Sequence, residues 1–149
     1  MPDNDNTAPA KLRRGFRQLV VEANSEIETV SVEDAKALLG QDGVVFVDLR
    51  DPRELEREGK IPGAFHCPRG MLEFWVDPES PYHKPVLSSG KRLLFYCGSG
   101  WRSALSTKTV QDMGLANVCH VHGGFTAWKA AGAPIEAVIS KPVSGPKAE

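Results

Sequence analysis

A cysteine followed by a glycine-rich turn and an arginine is the segment of this chain best suited to covalent chemistry. Cys97 ends an apolar run at residues 93–96, and Gly98, Gly100 and Arg102 follow it. Backbone N–H groups in such a turn can hold an anion, and the N-terminus of a following helix adds partial positive charge. These surroundings favour the thiolate, which is the nucleophilic form of cysteine. The pattern therefore predicts a reactive thiol that meets an anionic substrate.

The other two cysteines are expected to be buried and unreactive. Cys67 and Cys119 lie in strand-like segments, and a free cysteine in a strand usually behaves as a small apolar residue. Three cysteines without a CxxC pair argue against a disulfide framework or a zinc site, and they indicate a reducing compartment, the cytoplasm. His120 and His122 share one face of a predicted strand, but two histidines without a third ligand do not predict a metal site.

Composition and charge narrow the classes of partner. A chain of 149 residues suits one domain with a single core. Its net charge of −1 provides no broad basic surface for nucleic acid. No run approaches the ~18 apolar residues of a membrane span, and the first ten residues lack a signal-peptide core. We therefore expect neither nucleic acid nor membrane as a partner.

Four segments follow from composition and periodicity. Residues 1–10 are predicted to be disordered, and residues 136–149 to form a flexible tail. Residues 11–26 are predicted to form an amphipathic helix that docks on a domain at residues 27–135. The apolar residues at helical spacing in this segment are Leu12, Phe16, Leu19 and Val20.

Apolar runs alternate with helix-like segments along the domain. Strands are predicted at residues 27–30, 44–48, 64–67, 93–96 and 118–122. Helices are predicted at residues 31–40, from 51 onward, and at 71–76, 103–113 and 123–128. The alternation predicts an α/β fold with a parallel sheet that has helices on both faces. A ligand site is then expected beyond the carboxyl ends of the strands, where Cys97, Asp48 and His122 lie.

Four sequence blocks resemble those of single-domain rhodanese-like sulfurtransferases. They are residues 47–50 with Glu54, residues 59–64, the loop at 97–103, and residues 123–125 with 127–128 and 131–132. Each block alone is moderately common, whereas their order and spacing together are specific. The resemblance implies the rhodanese and cell-cycle control phosphatase fold. That fold is a three-layer α/β/α arrangement with a five-stranded parallel sheet in the order 1-5-4-2-3.

The resemblance also implies a mechanism. Cys97 would take a sulfane sulfur from thiosulfate or a persulfide donor and pass it, as a persulfide, to a thiol or to cyanide. The substrate-binding loop would comprise Gly98, Ser99, Gly100, Trp101, Arg102 and Ser103, whose main-chain amides hold the persulfide. Asp48 and Arg50 match structural positions that tie the second strand to the loop. Neither a cofactor nor a metal is implied. The partners would be a small-molecule sulfur donor and a thiol acceptor, either a small thiol or a thioredoxin-like protein.

Three positions near the loop qualify this resemblance. Lys60 stands where many members have histidine, so a contact at that turn is expected to differ. Gly98 stands where many have arginine, and the missing cation is expected to weaken thiosulfate binding. Trp101 is bulky for its position and is expected to face the entrance of the pocket.

Two other functions remain open from the sequence. A cysteine-dependent phosphatase or an arsenate reductase also uses a cysteine, a cradle of amides and an arginine. The related phosphatases keep five residues between the cysteine and the arginine, whereas this chain has the four at 98–101. The shorter arc is expected to fit a terminal sulfur better than a tetrahedral phosphate. A non-catalytic sulfur carrier or binding module is the second alternative, although the presence of Cys97 favours turnover.

Overall fold

A single parallel sheet organises the molecule. The computed structural model describes residues 8–139, and its five strands run in the order β1-β5-β4-β2-β3. The strands are β1 Glu28–Val30, β2 Val44–Asp48, β3 Phe65–His66, β4 Arg92–Tyr96 and β5 Val118–Val121. The predicted α/β class, the parallel sheet and the implied strand order are thus confirmed.

Six α-helices alternate with the strands. They are α1 Phe16–Glu26, α2 Val32–Leu38, α3 Pro52–Glu58, α4 Leu72–Val76, α5 Trp101–Asp112 and α6 Gly124–Ala130. Short 3-10 turns lie at Arg69–Met71 and Pro85–Ser88. Within residues 8–139, none of these helices combines the length and the apolar character needed to cross a membrane.

The core has two layers, one on each face of the sheet. Phe46 and Leu94 belong to one layer together with Trp128, whereas Val47 and Phe95 belong to the other. Neighbouring residues of β2 and β4 point to opposite faces, and both faces are covered, so these central strands consist of nearly continuous apolar sequence. The ends of β2 and β4 are thereby fixed side by side, with Asp48 opposite Tyr96.

Local caps start the helices where the sequence predicts them. The Ser31 hydroxyl accepts a hydrogen bond from the N–H of Asp34 at the start of α2. At the start of α3, Asp51 and Glu54 form a reciprocal capping box, with Pro52 in the first turn. The capping box fixes the position of Glu54 directly after β2.

Three predicted boundaries are wrong. Helix α1 begins at Phe16 rather than at residue 11, because Gly15 is extended and Leu12 is 75% exposed, with no core to cover it. Helix α5 begins at Trp101 rather than at residue 103. The folded domain also extends beyond residue 135, because Glu136 exchanges backbone hydrogen bonds of 2.8 and 2.9 Å with Lys60.

The predictions for the two termini lie largely outside the described part of the chain. Residues 1–7 of the segment predicted to be disordered, and residues 140–149 of the predicted tail, are not among the described residues. Residues 8–10 are exposed and belong to no helix or strand. The disorder predicted for residues 1–10 therefore stays a prediction.

Candidate active site

The Cys97 sulfur lies at the end of β4 inside a tight loop. Its side chain is 1% exposed. The backbone N–H of Gly100 donates to Sγ over 3.2 Å, and that of Ser103 over 3.4 Å. The structure thus brings two of the predicted loop amides to the sulfur. Two N–H dipoles aimed at one sulfur stabilise negative charge on it.

Helix α6 fixes the direction in which two backbone carbonyl groups of this loop point, and this direction is called the polarity of the loop. The N–H of Phe125 donates to the Cys97 carbonyl over 2.8 Å, and that of Thr126 donates to the Gly98 carbonyl over 3.0 Å. Both carbonyls therefore point into α6 rather than towards the sulfur. A Cβ on Gly124 would lie 2.5 Å from the Cys97 carbonyl oxygen, and Gly124 has φ +61°. Only glycine allows the two backbones to approach this closely.

Arg102 braces the loop through an ion pair. Its guanidinium donates two hydrogen bonds of 2.9 Å to Glu54, one to each carboxylate oxygen. These hydrogen bonds are the main cause that lowers the pKa of Glu54 to about 2, and they raise the pKa of Arg102. Glu54 balances the charge of Arg102, and the nearby Cys97 sulfur also contributes to the raised pKa of Arg102. The pair ties α5 to α3 and holds the loop closed.

A buried polar cluster supports the ends of β2 and β4. Arg50 donates to both oxygens of Asp48, over 2.9 and 2.7 Å, and the Tyr96 hydroxyl donates to Asp48 over 2.6 Å. Arg50 also donates to the Gly59 carbonyl, and its guanidinium lies 4.3 Å from the Phe125 ring centre. These contacts link β2, β4 and α6. Asp48 and Arg50 thus lie in a buried cluster at the end of β2, and their role as structural support for the loop stays a prediction.

A hydrogen-bonded chain that the sequence did not predict continues from the sulfur. The Ser103 hydroxyl oxygen lies 3.6 Å from the Cys97 sulfur and 2.9 Å from Nδ1 of His120. Nε2 of His120 lies 2.9 Å from Oδ1 of Asn24, which belongs to α1. Asn24 is remote in sequence and outside the blocks that carry the resemblance. No local signal connects these residues, since only the packing of α1 against α5 and β5 brings them together.

A cavity of about 470 Å³ opens beside the loop. Trp101 lines it together with Ser99, His122 and Val20. Trp101 is half exposed, and its ring centre lies 4.7 Å from that of Phe16 on α1. The expectation that Trp101 faces a pocket therefore agrees with its position in the wall of this cavity.

The remaining candidate residues have structural contacts. Cys67 and Cys119 are fully buried, and burial raises the pKa of their thiols to about 12 and about 11. Nε2 of His66 lies 2.5 Å from the Arg50 carbonyl oxygen. Lys60 donates to the Ala64 carbonyl over 3.1 Å, which is the contact at that turn. Between residues 8 and 139, no three His, Cys, Asp or Glu side chains are grouped to hold a metal ion.

Comparison with known proteins places these features in a family context. The model of the rhodanese-like domain matches residues 31–131. A thiosulfate:glutathione sulfurtransferase from Saccharomyces cerevisiae is 33% identical over 111 residues, which are 70% of this chain and 79% of that protein. An uncharacterised protein from Synechocystis is 31% identical over 116 residues, 78% of this chain, and the match spans 60% of that protein's length.

One similar solved structure has a different functional description. It is a protein of unknown function from Rhodopseudomonas palustris, described as a possible tyrosine phosphatase. It is 57% identical to this chain with a TM-score of 0.84, and the alignment covers 87% of this chain and 99% of that one. That description names phosphate hydrolysis as a second chemistry for a cysteine of this kind.

Proposed function

This chain belongs to the rhodanese-like domain family, and from that membership we propose that it is a sulfurtransferase that carries sulfane sulfur on Cys97. The observation that carries the proposal is the convergence of the Gly100 and Ser103 N–H groups on the Cys97 sulfur. The sulfurtransferase among its relatives supports the same class of reaction. We also propose the sulfur donor, which is thiosulfate or a persulfide, and the sulfur acceptor, which is a thiol or cyanide.

In the first half-reaction the Cys97 thiolate attacks the outer sulfur of thiosulfate or of a persulfide. A new S–S bond forms at Sγ, and the S–S bond of the donor breaks, so sulfite or a thiolate leaves with the electron pair. A stable anion leaves without needing a proton from a strong acid. The two amides stabilise the anionic sulfur throughout the step.

In the second half-reaction an acceptor thiolate or cyanide attacks the outer sulfur of the Cys97 persulfide. The bond between the outer sulfur and Sγ breaks, and Cys97 leaves as a thiolate that the same two amides hold. The persulfide places its outer sulfur about 2 Å beyond Sγ. Because Cys97 is 1% exposed, the acceptor has to be slender, such as a small thiol or an exposed cysteine of a thioredoxin-like protein.

Phosphatase chemistry is the second candidate because of the R. palustris relative. Hydrolysis of a phosphate ester is aided by a group that protonates the leaving oxygen. Glu54 is the carboxylate bound to the loop, but Arg102 holds its pKa at about 2, so it is ionised and cannot donate that proton at neutral pH. The loop between Cys97 and Arg102 also has four residues, one fewer than in the related phosphatases, and this shorter arc is expected to fit a tetrahedral phosphate less well. Sulfur transfer is therefore the better-supported reaction.

Intact mass after incubation with thiosulfate tests the proposal. We expect one added sulfur atom on the native protein, removal of that sulfur by cyanide or a small thiol, and no addition to Cys97→Ser. Hydrolysis of an aryl phosphate is measured on the same samples. Phosphatase turnover that depends on Cys97, without added sulfur from thiosulfate or a persulfide donor, would overturn the proposal in favour of the second candidate.

A further inference from the structure

We propose that Ser103 and His120 relay a proton from Cys97, and that Asn24 on α1 holds the His120 ring for this task. The inference rests on the proposed function in treating Cys97 as the reacting thiol. It adds a base, and the helix that orients it, to the two-amide site. Helix α1 lies outside residues 31–131, which the family model matches.

The contacts form an unbroken path. Sulfur to Ser103 Oγ is 3.6 Å, Oγ to His120 Nδ1 is 2.9 Å, and His120 Nε2 to Asn24 Oδ1 is 2.9 Å. Ser103 is fully buried, and His120 is 3% exposed. Each member has its partner within the path, so water is not needed to bridge any step.

The carboxamide of Asn24 fixes the direction of the path. With Oδ1 as the acceptor, Nε2 of His120 carries the hydrogen, and Nδ1 is left as an acceptor. Nδ1 then accepts from the Ser103 hydroxyl over 2.9 Å, which is shorter than the 3.4 Å from that hydroxyl to the Gly100 carbonyl oxygen. The Ser103 oxygen keeps a lone pair for the S–H of Cys97, so all hydrogen bonds run from the thiol towards Asn24.

The proton balance follows from this direction. The S–H bond of Cys97 breaks as its proton passes to Ser103 Oγ, while the original hydroxyl proton of Ser103 passes to Nδ1 of His120. The products are a thiolate, an intact Ser103 hydroxyl and an imidazolium whose Nε2–H donates to Asn24. No oxidant or reductant takes part. The proton returns along the same path when the thiolate is protonated again.

The surroundings of His120 keep its ring unprotonated, although they make it a weaker base than free imidazole. Burial, followed by the nearby charge of His122, lowers the pKa of His120 to about 4, so the ring is neutral near pH 7. The groups that face the ring are Asn24 from α1, Ser103 from α5 and His122, which directly follows β5. The new imidazolium forms only opposite the new thiolate, which stabilises it across Ser103.

Contacts at both ends of α1 keep Asn24 in place. Near its start, Phe16 packs on Trp101 in the first turn of α5, and Arg17 lies over both rings. At its end, Gln111 of α5 donates to the Glu26 carbonyl over 2.8 Å, and Lys108 pairs with Glu26. Asn24 therefore lies on a helix that is fixed to the same element as Ser103.

Paired substitutions of Asn24 test the relay. The readout is the rate of Cys97 alkylation by iodoacetamide against pH, with the modified residue identified by peptide mass. Asn24→Leu removes the acceptor and should slow alkylation at neutral pH by about tenfold, equivalent to about one pKa unit. Asn24→Asp keeps the acceptor and adds a charge that strengthens His120 as a base, so it should accelerate alkylation. Equal slowing by both, or no change in either, would overturn the relay.

A double-mutant cycle tests whether His120 acts through Ser103. His120→Phe should slow alkylation in the native background and have no further effect in Ser103→Ala, which keeps the backbone N–H to sulfur. His83→Phe removes an imidazole whose partner is Ser88, away from this path, and should leave alkylation near the native rate. Equal slowing by His120→Phe in both backgrounds would contradict the relay. Thermal unfolding checks each fold, and the Asn24 pair decides the question if His120→Phe does not fold.

The two proposals fail separately. Alkylation needs no sulfur donor, so it reports on the relay whatever the reaction of the enzyme is. Opposite effects of the Asn24 variants without persulfide formation would refute sulfur transfer and keep the relay. Persulfide formation with unchanged alkylation profiles would refute the relay and keep sulfur transfer.

Discussion

The end of β4 holds one buried cysteine, whereas β5 and the residue directly after β3 hold two equally buried cysteines in opposite surroundings. Cys97 is 1% exposed, and Cys67 and Cys119 are 0% exposed. The Cys97 sulfur receives two backbone N–H groups. The other two sulfurs face backbone carbonyl oxygens at 3.8 Å, of Pro68 and Leu93. The contrast teaches that the direction of nearby peptide dipoles, rather than exposure, distinguishes the candidate nucleophile from a core residue.

Removal of the thiol tests this contrast with the largest expected effect. Cys97→Ser should abolish persulfide formation because neither Cys67 nor Cys119 receives the backbone N–H groups that stabilise an anionic sulfur. Cys67→Ser and Cys119→Ser should each keep most of the activity. Intact mass after thiosulfate treatment measures all three variants. Comparable loss in a core variant that remains folded would show that a second cysteine takes part.

Selective alkylation compares the three thiols within one protein. At pH 8, a thiol with a pKa of about 11 is ionised to about one part in a thousand, and one with a pKa of about 12 to less. Cys97 should therefore react first in the native state, and the other two only after unfolding in urea. Peptide mass mapping over time measures the order. Alkylation of Cys119 in the native protein before that of Cys97 would contradict the difference proposed between the two sites.

Insertion of one glycine between Ser99 and Gly100 should misplace the amides that distinguish Cys97. The Gly100 N–H lies 3.2 Å from the sulfur, and errors of about 1 Å can reduce rates by about a hundredfold. We expect a loss of that size in sulfur transfer and no change in the reactivity of the core thiols. Steady-state transfer from thiosulfate measures it, and a matched glycine insertion directly after Gly90, which is exposed, is the control. Unchanged transfer by the loop insertion would contradict the role of the amides.

Glu54→Gln should have a smaller effect. It should change the reactivity of Cys97 and the stability in acid, and it should leave the core thiol of Cys119 unreactive. Gln retains the acceptor for the capping box but not the charge that pairs with Arg102. The folded-state pKa of about 2 lies below the ordinary 4.5, so the ion pair contributes its full stability above pH 4.5. That contribution is lost as the pH falls from 4.5 towards 2.

The urea midpoint of the native protein should therefore fall more steeply over this acid range than that of Glu54→Gln. Cys97 alkylation should change by a few-fold, while Cys119 stays protected. Parallel pH dependence of the two midpoints would show that the ion pair adds little to stability.

Local sequence was sufficient for most of the sheet and for the loop. The apolar run of β2, the Asp51 cap and the glycines after Cys97 each act over a few residues, so their structures can be predicted from spacing. The start of α5 was missed because Gly100, with φ +106°, ends the loop two residues earlier than the apolar pattern indicates.

The partners of the loop could not be predicted in the same way. The bond between Arg102 and Glu54 spans 48 residues, and that between His120 and Asn24 spans 96. Each depends on how two helices or a helix and a strand pack, and a single sequence carries no local signal of that packing. From the sequence, Glu54 can be identified only as a member of one family block, and Asn24 cannot be identified as a functional residue.

For protein engineering, the close approach of α6 divides the loop into fixed and adjustable positions. A methyl group at Gly124 collides with the Cys97 and Gly98 carbonyls, at 2.5 and 2.7 Å, so that position accepts no side chain while the carbonyls keep their direction. Ser99 and Trp101 are exposed, whereas the N–H groups that donate to the sulfur belong to Gly100 and Ser103. A library at those two positions can therefore vary what approaches the loop while leaving the polarity of the loop unchanged.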